Sequence, residues 1–319
     1  MCLREEVDVE KASMLAAEFE EILKKFPKVK YLSLVGLGET LMYPYLPEIM
    51  RGIKDRDKNT QIVITTNGTL LTEENIQKIN GISRAYISID SVDPERYRDI
   101  RGVELREVAD GVRRLRKNMP NILLFIQVVM MKDNLTDLPD FPRFAKEVGA
   151  DGVSLLHIVP LNNEQDKMHL MYAENAKFYL DKAVASAREM GLELSLRPLL
   201  PKEKYCGYPW TTTNITLKGD IYACGFMCRN EEETTKEFYM GEPIDVPNYQ
   251  YKVGNIFRDD FRKIWNGPDM QLLRKKLAGY WGGGRELSPE EFLKKRRQAD
   301  LSQRFSYCDI CLFRWGCAC

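Results

Sequence analysis

The sequence predicts an α/β fold with a parallel sheet, followed by a smaller cysteine-rich unit. Residues 9–196 alternate helical and strand patterns at intervals of roughly 30 residues. The strand segments are continuous apolar runs, as expected when both faces of a sheet are covered. A sheet of this kind is either open or closed into a barrel. All eight cysteines fall outside this region, since Cys2 precedes it and the other seven lie after residue 205.

Each element of the alternating region has its own signal. Residues 9–26 repeat apolar side chains at helical spacing. Thr72 is placed to cap a helix, and Asp93-Pro94 begins another with a cap followed by proline. The predicted strands occupy residues 29–35, 61–65, 85–89, 122–131, 152–158 and 192–196, and further helices occupy residues 46–54, 138–148 and 178–190.

The pattern changes after about residue 200. Asn214–Cys224 is predicted to form a hairpin that turns at Lys218-Gly219-Asp220, and residues 229–250 are predicted to form a polar loop. Two short helices are expected at residues 259–265 and 270–277, and a capping box at Ser288-Pro289-Glu290-Glu291 opens a final helix. We expect this unit to have little core of its own, so that a metal centre would supply stability.

Composition narrows the classes of function. Lys plus Arg and Asp plus Glu both number 47, so the net charge is zero, which argues against nucleic acid or an anionic membrane as a partner. The first residues are charged and do not resemble a signal peptide. The longest apolar run, Ile122–Met131, contains Gln127 and is too short to span a bilayer. We therefore expect a cytoplasmic protein, where clustered cysteines favour metal binding over disulfides.

The cysteines are spaced as metal ligands. Thiolates at two- to five-residue spacing can converge on one soft metal centre, either iron–sulfur or zinc. The candidate ligands are Cys2, Cys206, Cys224, Cys308, Cys311, Cys317 and Cys319. One alternative is therefore a non-catalytic α/β binding protein stapled by a zinc site of four thiolates. A hydrolase is disfavoured, because the chain has two histidines and no tight carboxylate–histidine motif.

Polar motifs follow three of the predicted strands. Glu39 could accept hydrogen bonds from an ammonium group, and Arg101 could form a forked pair with a carboxylate. Each motif also has a structural explanation, as a tight turn, a helix cap or a surface ion pair. The motifs are Gly36-Leu37-Gly38-Glu39, Thr65-Thr66-Asn67-Gly68, Ser88-Ile89-Asp90 and the later Ile100-Arg101-Gly102.

In order and spacing these motifs resemble the radical S-adenosylmethionine (SAM) enzymes, over roughly residues 2–196. The resemblance implies a partial (β/α)6 TIM-like barrel in residues 1–198. It implies that Gly36, Gly38 and Glu39 contact the SAM amino group, with Asn67 also at the cofactor. It places Ser88, Asp90 and Arg101 near the SAM ribose and carboxylate, and Leu155 and His157 near the adenine.

That family holds a [4Fe–4S] cluster on a Cys-x3-Cys-x2-Cys loop, with one iron left open for SAM. This sequence contains only a residue that matches the third position, Cys2. The resemblance therefore implies an N-terminally truncated chain that lacks its first strand and a complete SAM-cluster site. Such a chain is expected to be inactive, in contrast to its full-length parent.

Residues 199–319 resemble the SPASM/twitch auxiliary-cluster domain. One auxiliary [4Fe–4S] cluster on Cys206, Cys224, Cys308 and Cys311 fits the shorter twitch spacing. Alternatively, Cys308 and Cys311 join Cys317 in a second cluster, whose last ligand is Cys319 or is lost. Cys228 fits neither scheme.

The resemblance implies a reaction as well as a fold. A 5′-deoxyadenosyl radical would abstract hydrogen from a peptide or a small-molecule substrate. An electron donor such as flavodoxin or ferredoxin would reduce the cluster.

Overall fold

The computed structural model of the chain describes residues 12–36, 38–228, 234–279 and 284–317. Its centre is a six-stranded sheet with the strands in chain order, and every neighbouring pair is parallel. The strands of this sheet are β1 Tyr31–Leu34, β2 Gln61–Thr66, β3 Arg84–Ser88, β4 Leu123–Met130, β5 Gly152–His157 and β6 Glu193–Leu196. The helices of this region are α1 Ala16–Lys25, α2 Leu46–Arg56, α3 Glu73–Lys78, α4 Pro94–Arg101, α5 Leu105–Asn118, α6 Phe141–Glu147, α7 Asn163–Lys167 and α8 Ala176–Met190.

The predicted α/β architecture is confirmed. All six predicted strands are present close to their expected bounds, and the predicted caps are in place. The Thr72 hydroxyl accepts a hydrogen bond from Asn75 N at 3.2 Å, and the Asp93 carboxylate accepts one from Arg96 N at 2.8 Å. Since the six strands run parallel, their carboxyl ends lie at one edge of the sheet, where ligands bind in folds of this type.

The helices pack on one face of the sheet. Alternate strand residues such as Ile64, Ile87, Ile126 and Val153 are fully buried in one apolar cluster with side chains of α2, α5, α6 and α8. The intervening strand residues do not belong to that cluster. We call the side of the sheet that carries these intervening residues the open face.

The C-terminal region is built from short elements. The predicted hairpin is present, with β7 and β8 antiparallel and joined by β11 in a three-stranded sheet. Gly219 occupies its turn with φ +78°, a left-handed conformation that suits glycine. The elements are α9 Tyr208–Thr211, β7 Asn214–Ile215, β8 Asp220–Tyr222, β9 Thr235–Tyr239, β10 Glu242–Val246, β11 Lys252–Asn255, α10 Phe261–Trp265, α11 Pro268–Ala278 and α12 Pro289–Arg297.

The predicted polar loop at residues 229–250 is wrong, because β9 and β10 form an antiparallel hairpin within it. The Glu237 side chain of β9 is fully buried, and the Arg296 guanidinium of α12 donates to it at 3.1 Å. The hydroxyl of Tyr307 also donates to Glu237, at 2.6 Å. A carboxylate that would be solvated in a loop is therefore an interior ion-pair partner.

The expectation of little core in this region is also wrong. Tyr251, Phe305 and Tyr307 are each at most 1% exposed and lie in one apolar cluster with Met270 and Leu273. In the ranges that the structure describes, no helix is both long and apolar enough to cross a membrane.

Candidate functional site

Glu39 ties the end of β1 to the end of β2. Its Oε1 accepts hydrogen bonds from the Thr66 hydroxyl at 2.6 Å and from Leu41 N at 3.1 Å. Its Oε2 accepts one from Asn67 N at 2.9 Å. A carboxylate has about four acceptor positions, so these three bonds leave capacity for a ligand ammonium group. The geometry holds one negative charge at the carboxyl edge of the sheet.

The turn that precedes Glu39 leaves room for a ligand. Among the described residues, a Cβ added at Gly38 would meet no atom within 4 Å, and one added at Gly36 would only touch Gly38 N at 4.0 Å. Leu37, between them, lies outside the described residues. Space of this kind beside backbone N–H groups allows a polar ligand to approach the chain closely.

Asn67 uses its side chain in a turn. Its Oδ1 accepts hydrogen bonds from the Thr69 N at 2.9 Å and from the Thr69 hydroxyl at 2.7 Å. Gly68 follows with φ +80°, and a Cβ there would lie 2.7 Å from a Val108 methyl group. The turn interpretation of this motif therefore holds for the side chain, while the Asn67 N–H faces Glu39.

Asp90 and Arg101 are partners of each other. The Asp90 side chain is fully buried, and its Oδ2 accepts from Arg101 Nε at 2.6 Å, while its Oδ1 accepts from Val129 N at 2.8 Å. Burial raises the pKa of Asp90, against the opposing effect of the Arg101 charge. The pair fixes Arg101 just beyond the end of β3, with its side chain 22% exposed. Ser88, the last residue of β3, is half-buried on the open face.

Leu155 and His157 lie two residues apart on β5, so by the alternation of a strand both side chains are on the helix-covered face. Leu155 is 1% exposed in the main core. The His157 ring is buried, donates from Nε2 to Pro198 O at 2.9 Å and stacks on His169 with 4.8 Å between ring centroids. Burial, aided by His169, lowers the pKa of His157 to about 3, so the ring is neutral.

Sequence reasoning missed the side chains of the open face. Ser88, Gln127, Ser154 and Ser195 stand in register on β3 to β6 and form a polar row across four strands. Tyr86 and Phe125 lie one step closer to the strands' amino ends, with 5.5 Å between ring centroids. The period-two alternation that located the core also predicts which residues face away from it. That signal could have identified the row.

Four cysteines from two separated segments come together. Cys206, Cys224, Cys308 and Cys311 line the same apolar cluster of the C-terminal region. Burial, followed by the neighbouring charges of Cys308 and Cys206, raises the pKa of Cys224 to about 12. Burial raises the pKa of Cys311 well above its ordinary value, and Cys224 and Cys308 raise it further. Thiols that influence one another in this way lie close together.

This donor set fits a metal centre. Several thiolates in apolar surroundings are unfavourable unless a cation offsets their charge, and soft metals bind the thiolate form. The Tyr251 hydroxyl lies 3.2 Å from the Cys308 sulfur, as a hydrogen-bonding neighbour. In the described part of the chain, no three His, Cys, Asp or Glu side chains are arranged to hold a single metal ion. The four thiols thus interact without closing around one ion.

The remaining cysteines are placed differently. Cys317 is buried in another apolar cluster, beside Leu312 and Trp315, and the charges that act on it belong to other residue types. Cys228 lies near the four-cysteine group, but burial and Asp220 alone raise its pKa, to about 11. Cys2 and Cys319 fall outside the described residues.

Comparison with known proteins decides the family. The Radical SAM superfamily model matches residues 1–145, and the SPASM model, described as an iron–sulfur cluster-binding domain, matches residues 206–287. The chain belongs to the radical SAM superfamily. It is a radical SAM enzyme with a SPASM domain, and the family implies SAM, a [4Fe–4S] cluster and auxiliary iron–sulfur clusters as its cofactors. The zinc-stapled, non-catalytic alternative is therefore set aside.

Relatives of this radical SAM protein act on different substances. It is 28% identical to the tungsten-containing aldehyde ferredoxin oxidoreductase cofactor-modifying protein of Pyrococcus furiosus, over 88% of this chain and 80% of that one. It is 26% identical to a probable GTP 3′,8-cyclase of Methanococcus maripaludis, over 72% of this chain and 81% of that one.

A solved structure shares the fold of this radical SAM protein. The structure of Streptococcus suis SuiB bound to the precursor peptide SuiA superposes with a TM-score of 0.61 at 16% identity. The match covers 83% of this chain and 61% of SuiB, so the chain spans about three fifths of that protein. At this level of identity the likeness shows the fold.

Proposed function

We propose that this radical SAM enzyme binds SAM at the carboxyl edge of β1 to β3 and holds an auxiliary [4Fe–4S] cluster on Cys206, Cys224, Cys308 and Cys311. The substrate, a peptide or a small molecule, would lie against the open face of the sheet. When bound and reduced, the SAM cluster and SAM supply a 5′-deoxyadenosyl radical that abstracts hydrogen from the substrate. A small protein such as flavodoxin or ferredoxin would donate the electron.

The convergence of the four thiols carries this proposal. They come from the hairpin region and from the Cys308–Cys311 turn, and all four line one apolar cluster. Several of them also raise one another's pKa. Cys317 and Cys228 do not take part in that interaction. The arrangement supports the twitch-like ligand set over a second cluster built on Cys317.

In this proposal each residue at the carboxyl edge of the sheet contacts or positions a different part of SAM. Glu39 accepts hydrogen bonds from the SAM ammonium group, and Gly36 and Gly38 provide the space for it. Ser88 faces the ribose, and Arg101, fixed by Asp90, offers its outer N–H groups to the SAM carboxylate. The Asn67 backbone keeps Glu39 oriented through the bond at 2.9 Å.

The names of the two curated relatives favour a small molecule over a peptide, since one modifies a cofactor and the other is a nucleotide cyclase. The peptide bound to SuiB supports a peptide only by fold-level analogy.

The auxiliary centre is tested by iron content after anaerobic reconstitution. We expect Cys224→Ala and Cys308→Ala to lose about four irons per chain relative to the wild type, as removal of one [4Fe–4S] cluster requires. Cys228→Ala and Cys317→Ala are the matched controls and should keep the wild-type iron content. Loss of iron in Cys317→Ala, with retention in Cys224→Ala, would contradict the ligand set.

The SAM site is tested by equilibrium binding of radiolabelled SAM. Glu39→Gln removes the charge that faces the ammonium group, so we expect a loss of affinity on the order of 10- to 100-fold. Glu48→Gln, an exposed change on α2, is the control and should bind SAM normally. Formation of 5′-deoxyadenosine, measured by chromatography, reports the radical reaction itself, and it requires the three-cysteine motif of which this sequence contains only Cys2. Equal SAM affinity in Glu39→Gln and the wild type would remove Glu39 from the site.

A further inference from the structure

The polar row on the open face has an extended shape. Gln127 is in register with Ser88 on one side and with Ser154 on the other, and Ser154 is in register with Ser195. Neighbouring strands lie about 4.8 Å apart, so the row extends over about 14 Å. Within the described ranges, none of the four side chains makes a hydrogen bond to another residue. Their polar groups are therefore available to a ligand.

An arginine stands at the end of this row. Arg197 follows β6 two residues after Ser195, on the same side of the strand by the period-two rule. Its guanidinium stacks on the Phe313 ring at 5.1 Å from the centroid. Phe313 belongs to the apolar cluster that also contains Cys206 and Cys311. Arg197 thus follows a strand of the open face and contacts a side chain that packs against the apolar cluster containing the four cysteines.

Arg197 carries a charge for which the described part of the chain supplies no counter-ion. Among the residues that the structure describes, no carboxylate forms an ion pair with Arg197 or with Lys204. The two cations repel each other electrostatically. Arg101, by contrast, is fixed by Asp90. A stacked guanidinium with free N–H groups is well suited to a planar or tetrahedral anion.

We infer that Arg197 binds an anionic group of the substrate, either a carboxylate or a phosphate, while Gln127, Ser154 and Ser195 face the polar part of the same molecule. This inference rests on the proposed function and adds a substrate class to it. The anion lies at the side of the open face nearest the auxiliary centre. Ser88 remains with the SAM site.

The experiment is calorimetric titration of the anaerobically reconstituted full chain in the presence of SAM. Tripolyphosphate is the phosphate probe. N-acetyl-trialanine with a free carboxylate is the carboxylate probe, and its C-terminal amide is the uncharged match. The variant is Arg197→Gln. Arg188→Gln, an exposed change in the last turn of α8, is the control.

We expect at least one anionic probe to bind the wild type, and the uncharged amide not to bind. Arg197→Gln should lower the affinity for the probe on the order of 10- to 100-fold, since a charged hydrogen-bonding partner is lost. Arg188→Gln should leave that affinity unchanged. Binding of tripolyphosphate alone indicates a phosphate substrate, and binding of the free tripeptide alone indicates a carboxylate. Arg197→Lys, which keeps the charge without the fork, should weaken binding less than Gln does.

Two outcomes overturn the inference. One is that neither anion binds the wild type. The other is that Arg197→Gln reduces the affinity for SAM itself, which would assign the arginine to the SAM carboxylate. If Arg197→Gln does not fold, two other measurements test the inference. Added salt should weaken probe binding to the wild type, and Arg197→Lys should bind the probe more weakly than the wild type. A protein that binds the probes but does not bind SAM keeps this site and loses the proposed function.

Discussion

Gly152 is required where β5 passes between its neighbours, and the structure gives the size of the effect. Gly152 is in register with Phe125 on β4 and with Glu193 on β6. A Cβ added to it would lie 2.4 Å from Glu193 O and 2.7 Å from the Phe125 ring. Contacts this short cannot be accommodated without moving the backbone of β6, because one of the atoms is a carbonyl oxygen. Gly152→Ala should therefore force β5 and β6 apart.

The expected cost follows from overpacking. Inserting one methyl group into a well-packed site typically costs about 1–3 kcal/mol. We expect Gly152→Ala to lower the free energy of unfolding by that amount and to increase hydrogen exchange at the amides of β6. The same movement would displace Ser195 and Arg197, so binding at the open face should weaken as well.

Gly52→Ala is the matched control. Gly52 lies inside α2, and a Cβ there would meet no atom of the described residues within 4 Å. Because glycine is unfavourable in a helix interior, this change should stabilise the protein by about 0.5–1 kcal/mol. Urea unfolding followed by circular dichroism measures both variants. If Gly152→Ala is as stable as the wild type, or if both variants shift in the same direction, the packing argument at β5 is refuted.

Two further predictions concern buried ionisable side chains. Arg296→Met removes the buried cation that pairs with the Glu237 carboxylate, so urea unfolding should show a loss of about 3–5 kcal/mol in the free energy of unfolding. The adjacent exposed change Arg297→Met should have a much smaller effect, and equal losses would contradict a special role for the buried pair. His157 has a pKa of about 3 in the fold and about 6.5 when unfolded, so between these pH values the unfolded chain binds a proton that the folded protein does not. The free energy of unfolding should therefore fall as the pH is lowered from 6.5 towards 3, by about 1.4 kcal/mol per pH unit. Between pH 7 and pH 5, His157→Gln should reduce that slope, and an unchanged slope would show that His157 is not its source.

The sequence was sufficient for the elements whose stability is local. The six strands and the caps at Thr72 and Asp93 depend on apolar runs and on hydrogen bonds to residues three positions away, and both kinds of signal can be read along the chain. The hairpin of β9 and β10 was mistaken for a loop because its inward-facing Glu237 is stabilised by Arg296, which lies 59 residues further on. A linear pattern of polar residues cannot show that such a partner exists.

The candidate site was partly predictable for the same reason. The motif that contains Glu39 lies next to its strand, so its position at the sheet edge followed from the fold. The pairing of Asp90 with Arg101 could not be predicted, because it depends on the path of α4. The lack of an ion pair at Arg197 among the described residues could not be predicted either, because it depends on the position of every acidic side chain near it. The predicted roles of the individual site residues stay predictions until SAM binding is measured.

The contrast between Arg101 and Arg197 connects these points. Both arginines lie near the carboxyl edge of the sheet, and the sequence offers no ground for distinguishing them. Arg101 is held by the buried Asp90 carboxylate, so its charge is largely compensated and its role is to present a fixed donor. Arg197 is held by the ring of Phe313, which fixes the guanidinium plane without neutralising it. An arginine of the second kind attracts an anion, and its contact with Phe313 links it to the apolar cluster that contains the four cysteines.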